Sequence, residues 1–266
     1  MKLQTISTLT IGTGGVGKIG DPEQINVIRR VMDHGDIWMH CSNYGEGAFQ
    51  NLKVAFSERP SKVPKTIYKV DGITAEGFRT TLHDFLAQTS VQRMNIAQVC
   101  GFPLSKEPDA VLDAMTKARQ QGIVDNFIMD LVSSYCDTVP DYIRQGLFDG
   151  YIFYYNVIEC TATDAVLALM EKYKVPVLAM RTFAGGEFFH GTAPQHEELK
   201  MLFQKSGCAS ETEFCVRFAL SVPLSVTTVA GTSKIAHLDR LLDAARRFKP
   251  LDPVIVNQVR MLLRRT

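Results

Sequence analysis

The sequence lacks several features that mark whole classes of protein. No apolar run approaches the roughly 20 residues that a helix needs to span a bilayer. The stretch from Met1 to Gly12 contains one lysine and no long apolar segment, so we do not expect a secretory signal there. The 29 Lys and Arg residues nearly cancel the 28 Asp and Glu residues. We therefore expect no charge field that would attract nucleic acid or an anionic membrane, and no partner of either kind.

Cysteine is also sparse, with six residues in a chain of 266. No two of them have the Cys-x-x-Cys spacing of a zinc or redox site, and no histidine lies at zinc-ligand spacing from a cysteine. We therefore predict no metal site. Reduced thiols in a cytoplasmic protein are the simplest interpretation of scattered cysteines.

What the chain does contain is an eightfold alternation of short apolar segments with longer amphipathic ones. We predict strands over residues 7–11, 36–41, 66–70, 95–100, 126–132, 151–155, 175–180 and 225–230. These strands are apolar at nearly every position, which is typical of strands covered on both faces. Eight such units without a linker between them predict one domain, residues 1–266, with the fold of a (β/α)₈ TIM-type barrel.

Barrels of this kind carry their chemistry at the carboxyl ends of the strands. Tyr44 follows the second predicted strand, and Lys69 lies near the end of the third. A cation beside a phenol favours the phenolate, so this pair could act as general acid or base toward a carbonyl oxygen. Alternatively, Tyr44 covers the rim of the barrel and Lys69 is a solvated charge. The residues alone leave both interpretations open.

Six segments, in order along the chain, resemble the aldo-keto reductases. They are STLTIGTGG, MHCSNYG, TIYKV, YYN, VPVLAMRTFAGG and TVAGTSKIAHLDRLLDA. The resemblance implies NADPH-dependent reduction of a small carbonyl substrate, with Tyr44 as the acid and Lys69 as its partner. Two further catalytic positions of the family are changed, because its Asp falls on Met39 and its His falls on Cys100. The resemblance therefore implies a divergent active site.

Two other residues are candidates for catalysis. A Cys100 thiolate would be favoured near Lys69 and could act as a nucleophile, although a small residue that fills a vacated space is the alternative. His40 stands where the family has a small hydroxyl residue. Histidine titrates near neutral pH and could be a substitute acid or base, unless strand alternation points the ring inward, away from the opening of the barrel.

The resemblance also implies positions for NADP. The candidates at strand ends are Gly12, Thr13, Asp130, Arg181 and Phe183. The candidates after the last strand are Gly231, Thr232, Ser233, Lys234, His237 and Arg240. The first amides of a helix can bind an anion, and the side chains of Lys234, His237 and Arg240 could contact a 2′-phosphate. A solvated helix end is the alternative. The family residues that hold nicotinamide and adenine fall on positions that differ here: Asp130, Leu131, Ile152, Met180, Arg240 and Leu241.

Three functions remain open at this point. The first is the NADPH-dependent reductase, which acts on a small molecule. The second is a lyase, isomerase or dehydratase that keeps the barrel but uses cofactor-independent acid–base chemistry, since one barrel fold hosts many reactions. The third is a non-catalytic binding barrel.

Overall fold

Eight parallel strands close into one barrel in a computed structural model that describes residues 3–14, 18–42, 48–70, 74–89, 91–100, 104, 106–132 and 135–264. Each strand pairs with its neighbours in the chain, and β8 pairs with β1 to close the sheet. The strands are β1 Leu9–Gly12, β2 Trp38–Cys41, β3 Thr66–Val70, β4 Met94–Val99, β5 Val124–Asp130, β6 Gly150–Tyr154, β7 Val177–Met180 and β8 Ser225–Gly231. The predicted (β/α)₈ fold is confirmed.

Helices follow the strands and cover the outside of the barrel. In the described ranges they are α1 Pro22–His34, α2 Ala48–Glu58, α3 Ala75–Thr89, α4 Pro108–Gln120, α5 Val139–Gln145, α6 Asp164–Tyr173, α7 Glu187–His190, α8 His196–Lys205, α9 Glu211–Ala219, α10 Ile235–Arg246 and α11 Pro253–Leu263. Side-chain caps begin several of them: Asp21 accepts from the amides of Glu23 and Gln24, and Thr74 accepts from the amide of Gly77. None of the helices that the structure describes is long and apolar enough to cross a membrane.

Most strand limits differ from the predicted ones by one or two residues, and local hydrogen bonds explain two of these differences. The first strand begins at Leu9 rather than at residue 7, because the Ser7 hydroxyl bonds to the Leu9 carbonyl and the Trp38 amide. The fifth strand ends at Asp130 rather than at residue 132, because Asp130 Oδ1 accepts a hydrogen bond from the Val132 amide. This turn leaves the carboxylate at the end of the strand.

The barrel has two apolar layers, one between strands and helices and one inside the barrel. The inner layer contains Trp38, Ile67, Ile96, Ile128 and Ile152, with Leu178 and Val229, and is covered at the amino end by Leu3 and Ile6. Side chains alternate along a strand, so the residue two positions further on points to the same side of the sheet. The residues two positions after the first five are polar: His40, Lys69, Gln98, Asp130 and Tyr154. We call this polar layer, at the carboxyl end of the strands, the mouth.

Candidate functional site at the barrel mouth

A cation and a carboxylate meet at the mouth. Lys69 Nζ lies 3.9 Å from Asp130 Oδ2, although β4 separates the two strands that carry them. Asp130 is buried, whereas the Lys69 side chain remains 30% exposed. A carboxylate in this position attracts and orients the ammonium group of Lys69, while the exposed part of the lysine side chain can be reached from solvent.

Gln98 on β4 fills the space between the two strands and joins Asp130 to His40. Its Nε2 donates to Asp130 Oδ2 at 2.7 Å, and its Oε1 lies 2.5 Å from His40 Nε2. The amide oxygen can only accept, so His40 Nε2 is the donor and carries a hydrogen. His40 and Gln98 are both buried. A primary amide is a poor proton relay, so this arrangement positions Asp130 rather than moving a proton to it.

Neither residue that stands in for the Asp and the His of the aldo-keto reductases, Met39 and Cys100, is a carboxylate or an imidazole. Met39 lies in the outer apolar layer, fully buried, and alternates with the inward-facing Trp38 and His40. The carboxylate beside Lys69 therefore comes from β5 and not from β2. Cys100 directly follows β4 and is half-buried. Tyr44 lies outside the described residues.

Tyr154, Arg181 and Glu159 form a second polar cluster at the mouth. The Arg181 guanidinium carbon lies 5.2 Å from the centre of the Tyr154 ring, and Nη1 bonds to Glu159 Oε1 at 2.9 Å. Burial raises the pKa of Tyr154, while the charges of Arg181 and Lys69 lower it and those of Asp130 and Glu159 raise it. Asp130 on β5 is in register with Ile152, two residues before Tyr154 on β6, so the two clusters lie on adjacent strands of the mouth.

The candidate anion site lies at the start of α10, directly after β8. Lys234 is the N-cap residue of the helix, and Lys234, His237 and Arg240 are all exposed. Thr232 is buried and its Oγ1 accepts from the Lys234 amide, and the first turn of α10 contains no acidic residue. Leu241 is buried in the outer apolar layer. Positive groups therefore surround this helix end, but Leu241 faces away from any ligand there.

The other candidate cofactor residues have structural partners. The Thr13 amide and hydroxyl both bond to the His40 carbonyl, at 3.0 and 3.4 Å. A Cβ at Gly12 would come within 3.3 Å of Val229 Cγ1, so glycine permits close packing of β1 on β8. Gly231 and Ser233 lie at the end of β8 and just before α10. Phe183 packs on Phe189, with ring centres 5.2 Å apart.

Sequence reasoning missed Gln98 and Glu159. Gln98 is a polar residue within an otherwise apolar strand, two positions after Ile96, and that alternation was the available signal. Glu159 lies in the loop after β6, where the Asn156 side chain accepts from the amides of Ile158 and Glu159. No spacing in the sequence links Glu159 to Arg181, because the contact depends on how two loops meet.

The barrel is similar to solved structures of an aldo-keto reductase. The chain superimposes on the holo form of the aldo-keto reductase AKR11C1 from Bacillus halodurans with a TM-score of 0.74 at 16% identity, covering 97% of this chain and 96% of that one. The apo form of AKR11C1 gives a TM-score of 0.72 at 16% identity, covering 97% and 91%. No protein-family model matches the sequence, and no curated protein matches it significantly. The chain therefore has the barrel fold of the aldo-keto reductases.

Proposed function

We propose that the protein reduces a small carbonyl compound with NADPH at the barrel mouth. The observation that carries this proposal is the Lys69–Asp130 pair, a cation held 3.9 Å from a buried carboxylate at the end of the strands. Negative charge develops on the oxygen of a carbonyl as it is reduced, and a pre-positioned cation stabilises that charge. The shared fold with AKR11C1 supports the same reaction class.

The phosphate end of NADPH fits the start of α10. The helix amides and His237 offer hydrogen-bond donors to a pyrophosphate and a 2′-phosphate, and Lys234 and Arg240 offer positive charges. NADPH, when bound, would supply the hydride. The buried Leu241 and Ile152 cannot contact adenine or nicotinamide, so other residues of the chain must bind those rings.

Each mouth residue then has a distinct role. Lys69 polarises the carbonyl oxygen, and Asp130 holds the ammonium group in place. Gln98 and His40 hold Asp130 through the hydrogen bonds described above. Tyr44, which follows β2, donates the proton by the resemblance to the family. Tyr154 is a second donor, because a phenol is protonated at neutral pH and burial raises its pKa further.

The experiment is a titration of the purified protein with NADPH, followed by cofactor oxidation with a panel of aldehydes and ketones. Saturable binding and turnover are expected. Lys69→Met should abolish most turnover, whereas Lys65→Met should not. Lys65 lies just before β3, at the opposite end of the barrel, over the Trp38 ring. The absence of binding at near-millimolar NADPH would refute the proposal.

A second function is favoured by the chemistry of the mouth itself. Asp130 stands where the resemblance expects a neutral serine, and a carboxylate, a lysine and a phenol together suffice for proton transfer next to a carbonyl. This second candidate is an isomerase, lyase or dehydratase that needs no nicotinamide. Incubation with carbonyl compounds in D₂O without cofactor tests it, because exchange at the α-carbon appears in proton NMR spectra. Exchange that Asp130→Asn abolishes would favour it over the reductase.

A further inference from the structure

Arg181 is held in an unusual backbone conformation directly after β7. Its φ is +62°, in the left-handed region that costs a non-glycine residue on the order of 1 kcal/mol. Two hydrogen bonds fix its carbonyl: the Ala184 amide donates to it at 2.8 Å, and Asn156 Nδ2 donates at 3.0 Å. These two hydrogen bonds thus stabilise a backbone conformation at Arg181 that occurs in neither a regular strand nor a regular helix.

The side chain of Arg181 is also held, but only in part. Glu159 Oε1 contacts Nη1 at 2.9 Å and also accepts from Asn156 Nδ2 at 3.2 Å, while the Tyr154 ring supports the guanidinium plane. The side chain remains 41% exposed. Among the described residues, no second acceptor bonds to the guanidinium. An arginine presents a fork of donors that suits a carboxylate on two atoms, and this contact uses one of its terminal nitrogens.

Stability does not account for this arrangement. An exposed ion pair contributes little to folding, typically less than about 1 kcal/mol. Such a contribution does no more than offset the cost of the left-handed backbone. Strained residues of this kind concentrate at ligand sites, where the surrounding structure fixes them for binding.

Arg181 also shares the mouth with Lys69. Tyr154 follows the inward-facing Ile152 by two residues on β6. Ile152 is in register with Asp130 on β5, and Tyr154 is in register with Met180 on β7, the residue directly before Arg181. Tyr154 therefore lies between the Lys69–Asp130 pair and the Arg181 guanidinium at the mouth. A carbonyl compound with a second, anionic end could reach both cations.

We propose that Arg181 is a specificity-determining residue that binds the carboxylate of an oxo-acid or formyl-acid substrate, with Tyr154 as the platform for its guanidinium. Glu159 holds the side chain in place when no substrate is present. This inference rests on the proposed carbonyl chemistry at Lys69 and names the substrate class for that site.

The test compares formyl carboxylates of different length, such as 4-formylbenzoate, with their own methyl esters. In the wild-type protein we expect kcat/KM to favour the carboxylate by roughly tenfold to a hundredfold, the usual effect of a hydrogen bond to a charged group. Arg181→Met should remove this preference, because kcat/KM should fall far more for the carboxylate than for its ester. Arg181→Lys should restore part of it, because lysine keeps the charge without the fork.

Arg119→Met is the matched control. Arg119 also forms an ion pair, at 2.7 Å with Asp149, and also lies over an aromatic ring, 5.4 Å from the centre of Phe127, but it is near the amino end of the barrel. The variant Arg119→Met should leave the preference for the carboxylate over its ester unchanged. An equal fall of both rates in Arg181→Met, or a weaker NADPH affinity with unchanged discrimination, would overturn the inference.

Equilibrium binding of 4-formylbenzoate without cofactor separates this inference from the proposed reaction. Isothermal titration should give binding in the wild-type protein that Arg181→Met abolishes, even if no turnover with NADPH is found. In that case the reductase proposal fails and the carboxylate site stands. If the protein instead reduces the neutral esters but shows no preference for the carboxylates, the reductase proposal stands and the carboxylate site is refuted.

Discussion

Gln98 donates a hydrogen bond of 2.7 Å to Asp130 across two adjacent strands of the barrel. Because its nitrogen donates there, its oxygen must accept from His40, so Nε2 of this buried histidine carries a hydrogen. Three strands are thereby joined by side chains immediately above the inner apolar layer. The geometry of Lys69 depends on this connection, since Asp130 is its partner.

The first prediction concerns the stability of this network. Gln98→Leu leaves Asp130 with one donor fewer and His40 Nε2 without this acceptor, and both groups are buried. We expect the free energy of unfolding to fall by about 2–4 kcal/mol, as measured by guanidinium denaturation. The double variant with His40→Leu should lose less than the sum of the two single changes, because they share one hydrogen bond. Additive losses would show that the two residues are not coupled.

The second prediction concerns catalysis by the cation–carboxylate pair. Asp130→Asn keeps an acceptor for Gln98 but removes the charge that holds Lys69. We expect kcat to fall by roughly a hundredfold or more, with little change in KM, because the loss affects the transition state. Asp149→Asn, which changes an ion-paired aspartate at the amino end of the barrel, is the control and should retain activity. Equal activities of the two variants would contradict the assignment of Asp130.

The third prediction concerns discrimination between NADPH and NADH. The double variant Lys234→Met and Arg240→Met should raise the Kd for NADPH by about tenfold, and hardly change that for NADH, because only NADPH carries a 2′-phosphate. The difference should shrink at high ionic strength, since both side chains are exposed. Arg246→Met, in the last turn of the same helix, is the control. A parallel loss of affinity for both cofactors would argue against a 2′-phosphate site.

The fourth prediction is a decline of stability at alkaline pH. Burial raises the pKa of the Cys41 and Cys215 thiols above the ordinary value of 9.0. Below that pH, both thiols are protonated in the folded and the unfolded chain, so they add no pH dependence. Above it the unfolded chain alone loses the protons, and the free energy of unfolding should fall by up to about 1.4 kcal/mol per pH unit for each thiol.

The control for this decline is the double variant Cys41→Ala and Cys215→Ala. It should be less stable at neutral pH, because two buried side chains become smaller. Its unfolding free energy should nevertheless fall less steeply between pH 9 and pH 10.5. Denaturant titrations at several pH values measure both slopes. Identical slopes would show that the thiols do not cause the decline.

The sequence alone determined the architecture. Eight apolar segments at regular spacing require covering on both faces, which a closed parallel sheet surrounded by helices satisfies. Cap residues such as Asp21 and Thr74 act within a few positions of the chain, so local sequence determines where α1 and α3 begin. Lys69 could be identified as a strand-end cation for the same local reason.

Only the tertiary structure decided which side chains meet. Met39 and His40 are neighbours in sequence, but the register of β2 turns the methionine outward and the histidine inward. The partner of Lys69 is Asp130, 61 positions away in the chain, and the partner of Arg181 is Glu159 in another loop. Such contacts depend on barrel register and loop packing, which are set by the whole chain and not by any local pattern.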